Sequence, residues 1–139
     1  MKPSVLLRAA SVLTLIFCAG HTYGALSSSS ADPEQAAVFM AMQAYPFEIM
    51  GARRTHWQFY RGFSFLFSVT LLLLAVLLWQ LARLSKSDPV AARPLIASLF
   101  LAYLGFTILS GVYFFIAPAA FSAAVAICLA LAFTSARTG

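Results

Sequence analysis

The sequence predicts an all-α integral membrane four-helix bundle with a short external amphipathic helix, and three observations carry that prediction. Of 139 residues, 62% are hydrophobic and 9% charged, with a mean hydropathy of +0.89. A soluble domain of this size would carry about a quarter charged residues, so lipid is the solvent for most of the chain. Second, the apolar stretches have lengths that match the ~20 residues needed to cross the hydrocarbon core. Third, Lys and Arg lie at or near the ends of those stretches. Together these exclude a cytosolic globular enzyme, a nucleic-acid-binding module and a disordered linker. The net charge of +5 gathers no basic cluster beyond Arg53-Arg54, so no nucleic-acid partner is expected.

The first span runs over about 5–25, with Arg8 near enough to its start to snorkel. The second, about 59–81, contains the uninterrupted apolar run from Val69 to Trp79. From Leu95 to Ala136 the chain stays apolar for 42 residues, a helix of about 60 Å if unbroken, which is twice the membrane thickness. A break at Ala117-Pro118 is predicted because proline lacks a backbone donor and restricts its predecessor. The third and fourth spans are then about 95–116 and 119–135, and residues 1–139 form a single domain.

With the N-terminus inside, one side collects Lys2, Arg8, Arg83, Lys86, Arg93 and Arg137, and the other Arg53, Arg54 and Arg61. Six against three places both termini in the cytoplasm and the loop 26–58 outside. The first span also resembles a signal peptide, with small residues at Ser29-Ser30-Ala31, but its apolar stretch is long and the spacing to Ala31 exceeds a usual c-region. It is expected to stay attached. Phe17 before Cys18 argues against a lipobox, and the two cysteines, Cys18 and Cys128, have no paired spacing for a disulfide framework or zinc.

Within the external loop, Asp32-Pro33 followed by Gln35 predicts a short helix that stops by Tyr45, ahead of Pro46. Its Ala, Val, Phe and Met content suits the membrane interface or a cap on the bundle. Residues 47–62 hold the densest set of chemically capable side chains. Trp57, Phe59 and Tyr60 read as an interfacial aromatic belt. Arg61, inside the second span's first turn, needs a partner, and Glu48 is the natural one. A structural Arg61–Glu48 clamp and a ligand-binding Arg61 both fit. His21 lies about 20 Å of helix above Arg8, at the level of His56. No HxxxH, ExxH or CxxCH spacing accompanies either histidine, so no metal and no cofactor is expected. If a ligand site exists, the residues that would form it are His21, Tyr23, Glu48, His56, Tyr60 and Arg61, with Tyr113 closing the far wall.

Gly20 and Gly24 make a GxxxG, and Ser64 with Ser68, and Ser122 with Ala126 and Ala130, give further small-residue stripes suited to close helix packing or a dimer seam. Thr70, Tyr103, Thr107, Ser110 and Tyr113 read as interhelical hydrogen-bond partners. No nucleophile elbow, phosphate-binding glycine loop or paired catalytic carboxylates occur, so no catalytic residue is assigned.

The order Gly20-His21-Thr22, Ala41-Met42, Phe59-Tyr60-x-Gly62-Phe63, Trp79-Gln80-Leu81 and Tyr113-Phe114-Phe115-x-x-Pro118 resembles a family of small bacterial four-span inner-membrane proteins. The resemblance covers nearly the whole chain and implies an inner-membrane protein whose first span is retained; it implies no activity. In span count and size the chain is also similar to DoxX-type proteins, a likeness of layout alone. The expected function is a non-catalytic membrane protein, a small structural or accessory subunit. The alternative is a lipid or small-lipophile binder, with transport or redox-accessory activity, whose pocket lies at the external end of the bundle. Membrane lipids, a membrane-protein partner or a second copy are the expected partners.

Overall fold

Asp-Pro pairs open two of the five helices in the computed structural model, which describes residues 2–27 and 32–136. In chain order the elements are α1 (Pro3–Leu26), α2 (Pro33–Ala44), β1 (Pro46–Ile49), β2 (Ala52–Thr55), α3 (His56–Ser87), α4 (Pro89–Tyr113) and α5 (Ile116–Ser135). The protein is all-α in class, and α1, α3, α4 and α5 are each long and apolar enough to cross a membrane. The proposed cleavage positions Ser29-Ser30-Ala31, and Arg137, lie outside the described residues.

The described chain divides into two compact units, one of residues 1–18 and 71–139, the other of residues 19–70. The first unit is a four-helix bundle built from the start of α1, the end of α3, and all of α4 and α5. Its core comprises Leu7, Ala10, Leu78, Ala82, Ile96, Tyr103, Val125 and Leu129 among others, each essentially inaccessible. Helices α4 and α5 lie along each other as a hairpin. Ser122 and Ala126 are buried in α5, and such small residues let backbones approach closely. The Phe17 and Phe121 rings stack at 5.7 Å within this unit.

Two helix boundaries differ from expectation. The break between the last two spans falls at Phe114-Phe115, not Ala117-Pro118. Pro118 is the third residue of α5, where a missing N–H costs nothing because first-turn amides have no intrahelical acceptor. Helix α4 begins at Pro89 rather than Leu95: Asp88 caps it, its carboxylate accepting from the Ala91 N–H at 2.9 Å, and Pro94 is carried inside the helix.

The second unit holds the last turns of α1, α2, the hairpin and the start of α3. Asp32 caps α2 by accepting from the Glu34 N–H at 3.0 Å, and the helix ends at Ala44, ahead of Pro46, as the sequence predicts. No residue of α2 is fully buried. An antiparallel β-hairpin, absent from the sequence reading, follows it, pairing Glu48 with Arg53 and Ile49 with Ala52. Its two-residue turn, Met50-Gly51, has φ of 50° and 79°. Positive φ at both positions is the primed turn whose twist matches a hairpin. Thr55 and Gln58 then start α3 with a reciprocal capping box: the Thr55 N–H donates to Gln58 Oε1 at 3.0 Å, and the Gln58 N–H to Thr55 Oγ1 at 3.2 Å. Helix α3 has 32 residues, about 48 Å, so its polar ends extend beyond a hydrocarbon core of about 30 Å.

Candidate functional site

The hairpin and the first turns of α3 bring aromatic rings together. Strand alternation puts Phe47 on one face, where it meets His56 at 4.9 Å and Phe59 at 5.2 Å. From α2, Phe39 reaches Trp57 at 5.1 Å. Trp57 also stacks on Tyr60 at 5.7 Å. Arg61 lies one helical turn from both Trp57 and Phe65, and its guanidinium sits over their rings at 5.8 and 5.1 Å. The cation is therefore held by π faces from its own helix.

This arrangement corrects the expected Arg61–Glu48 clamp. Glu48 is exposed on the hairpin opposite Arg53, and among the described residues it makes no ion pair with Arg61. The physical reason is register: Phe47 and Glu48 point to opposite faces of β1, and packing Phe47 against α3 turns Glu48 away.

His21, in the last turns of α1, packs further along α3. Its ring meets Phe67 edge-on at 5.0 Å, and Nε2 lies 3.0 Å from the Ser64 carbonyl. A carbonyl only accepts, so Nε2 carries the proton in this bond. One turn further along, Thr22 Oγ1 donates to Ser68 Oγ at 2.9 Å, and Ser68 Oγ to the Ser64 carbonyl at 3.2 Å. Ser64 is eight residues, about 12 Å of helix, beyond His56, so the two imidazoles do not converge. Of the expected set, Tyr60 and Arg61 share Trp57, His56 is exposed with its ring against Phe47, and Tyr23 and Tyr113 are each 74% exposed. Among the described residues, no three His, Cys, Asp or Glu side chains gather where a metal could be held.

The first unit contains polar groups that serve packing. Thr14, wholly buried, bonds both the Ala10 carbonyl and the Tyr103 hydroxyl at 2.8 Å. Ser11 donates to the Ala75 carbonyl of α3 at 2.7 Å. Tyr103 thus joins two helices as the sequence suggests, whereas Thr70 and Thr107 turn back onto Leu66 and Tyr103 carbonyls of their own helices. Ser122 Oγ is buried without a partner among the described residues. Gly20 and Gly24 are exposed, and a Cβ added at either meets nothing within 4 Å, so their GxxxG is not a packing seam within the chain.

Two cavities stand out, both in the first unit. One, of about 420 Å³, is a cleft between the start of α1 and the end of α3, lined by Lys2, Arg8, Ser85 and Lys86. The other, about 230 Å³, is apolar and lies between α4 and α5 at Phe100 and Phe133. Neither is lined by the residues expected to bind a ligand. No known family, curated protein or solved structure matches this chain. The residues of the site stack, hydrogen-bond and carry positive charge.

Proposed function

We propose that this chain is a non-catalytic multi-pass protein of a bacterial inner membrane, a small structural or accessory subunit that acts through helix packing. The observation that carries the reading is how the polar groups of the spans are used. Ser11, Thr14 and Tyr103 spend their hydrogen bonds joining helices, and none of them lines either of the two cavities. Intramembrane polar residues at a substrate pathway would instead face a wet cavity. Four apolar helices support the multi-pass placement, and the Lys and Arg excess on one side supports termini in the cytoplasm, with α2 and the hairpin outside. The ordered motifs that resemble small bacterial four-span proteins support the inner membrane.

The test is purification of the full chain in mild detergent followed by native mass spectrometry. A stoichiometric protein partner, or a defined homo-oligomer, is the expected result. A monomer that retains one quinone-class lipophile, lost on His21→Ala, would overturn it in favour of a binding protein. Reporter fusions at the two ends check the topology; opposite faces would overturn the placement.

A further inference from the structure

The cleft at the start of α1 has features that helix packing does not use. It opens between α1 and α3, its volume is about 420 Å³, and three cations line it: Lys2, Arg8 and Lys86. Ser4 and Ser85 add hydroxyls, and no acidic side chain lines it. Among the described residues none of the three cations forms an ion pair. The nearest carboxylate in sequence, Asp88, is engaged in capping α4 through the Ala91 N–H. The first turn of α1 carries no acidic residue, so the positive end of its dipole adds to the same field. Arg8 is steadied at the rim by the face of Trp79, 5.2 Å from the ring centroid, and an amphipathic indole beside a cation is characteristic of headgroup level.

An apolar track leads away from this cationic cleft. Val5 lines the cleft, and on α1 it is followed along one face by Ala9, Val12 and Ile16, at the i, i+4, i+7, i+11 spacing of a single helical stripe. Val5, Val12 and Ile16 are each about half exposed, at 50%, 47% and 51%. A free inorganic anion has no use for such a track; an acyl chain does.

We infer that the cleft binds the phosphate of an anionic phospholipid, with Lys2, Arg8 and Lys86 around the phosphate and an acyl chain along Val5, Val12 and Ile16. The inference rests on the membrane placement proposed above, and the experiment separates the two. Membranes containing the full chain are first washed with alkaline carbonate; release of the protein would defeat the placement, and the lipid site with it. The retained protein is then reconstituted with equal amounts of phosphatidylglycerol and phosphatidylcholine, and co-purified lipid is counted by native mass spectrometry. Phosphatidylglycerol should be enriched by at least about fivefold, the discrimination that even one of the three cations would give near a membrane surface. Arg8→Gln with Lys86→Gln should return the ratio to that of the bulk mixture. Arg53→Gln with Arg54→Gln, which removes the same charge from the hairpin, should leave the enrichment intact. Circular dichroism checks that each variant is folded, and Lys86→Gln alone, at an exposed helix end, serves if the double variant is not. No enrichment, or equal loss in both double variants, would overturn the site. Displacement of phosphatidylglycerol by millimolar inorganic phosphate, with Val12→Ser and Ile16→Ser having no effect on retention, would overturn the lipid in favour of a free anion.

Discussion

The hydroxyls of Thr14 in α1 and Tyr103 in α4 meet at 2.8 Å, and both side chains are inaccessible to solvent. The direction of that bond is fixed by a third group. Thr14 has one proton, and its Oγ1 lies 2.8 Å from the Ala10 carbonyl, which can only accept. Tyr103 is therefore the donor to Thr14, and the chain runs Tyr103 to Thr14 to Ala10. It ties the third span to a backbone carbonyl of the first.

That direction makes the two partners unequal under mutation. Tyr103→Phe removes the donor and leaves Thr14 bonded to Ala10, so the cost should be about 1 kcal/mol. Thr14→Val strands the buried Tyr103 hydroxyl and should cost roughly 1–3 kcal/mol. Thermal unfolding in detergent measures both; a larger loss for Tyr103→Phe would mean the proton runs the other way.

The start of α3 depends on Thr55 and Gln58, each holding the other's N–H. Thr55→Ala should destabilise the second unit by about 1 kcal/mol. Gln58→Glu should be tolerated, because a carboxylate suits both the capping box and the positive helix end. Hydrogen exchange at the first amides of α3 reports the effect locally, and unchanged protection in Thr55→Ala would refute the cap.

The helices were largely legible because apolar runs, Asp-Pro starts and proline stops are local signals. Asp32-Pro33 announces a helix start in the sequence, while Asp88-Pro89, with the same chemistry, is obscured because Arg93 and Pro94 interrupt the apolar pattern before Leu95. Thr55-His56-Trp57-Gln58 likewise carried a capping box under an aromatic belt. The hairpin was harder. Its strands, Pro46–Ile49 and Ala52–Thr55, are four residues each, and its turn places Met where Asn or Gly would have announced it. The expected cluster of His21, His56 and Glu48 rests on depth alone. Depth does not supply the rotation of each residue about α3 or the face that Glu48 takes on β1.

Met50 is the residue that conceals the turn, and it should also limit its stability. A non-glycine side chain at a φ of 50° costs roughly 1–2 kcal/mol. Met50→Asn should recover about 1 kcal/mol, since Asn-Gly is preferred in this turn. Met50 is wholly exposed, so the change removes no packing. A rise in the melting temperature of the full chain, with the hairpin amides better protected, is the expected outcome; a fall would show that the turn does not adopt two positive φ angles.

The small-residue stripes look alike in sequence and should behave oppositely. Around Gly20 and Gly24 a new Cβ meets nothing, so Gly20→Ala and Gly24→Ala should leave stability within about 0.5 kcal/mol of the parent or raise it through helix propensity. Ala126 is 6% exposed in α5, the helix that lies along α4, so a longer side chain there must push into packed neighbours. Ala126→Leu should therefore cost roughly 1–3 kcal/mol by overpacking. Paired melts of these variants in one detergent decide the matter: a large loss at Gly20 or Gly24 would mean that a close contact exists there, and a neutral Ala126→Leu would mean that α4 and α5 are not tightly packed.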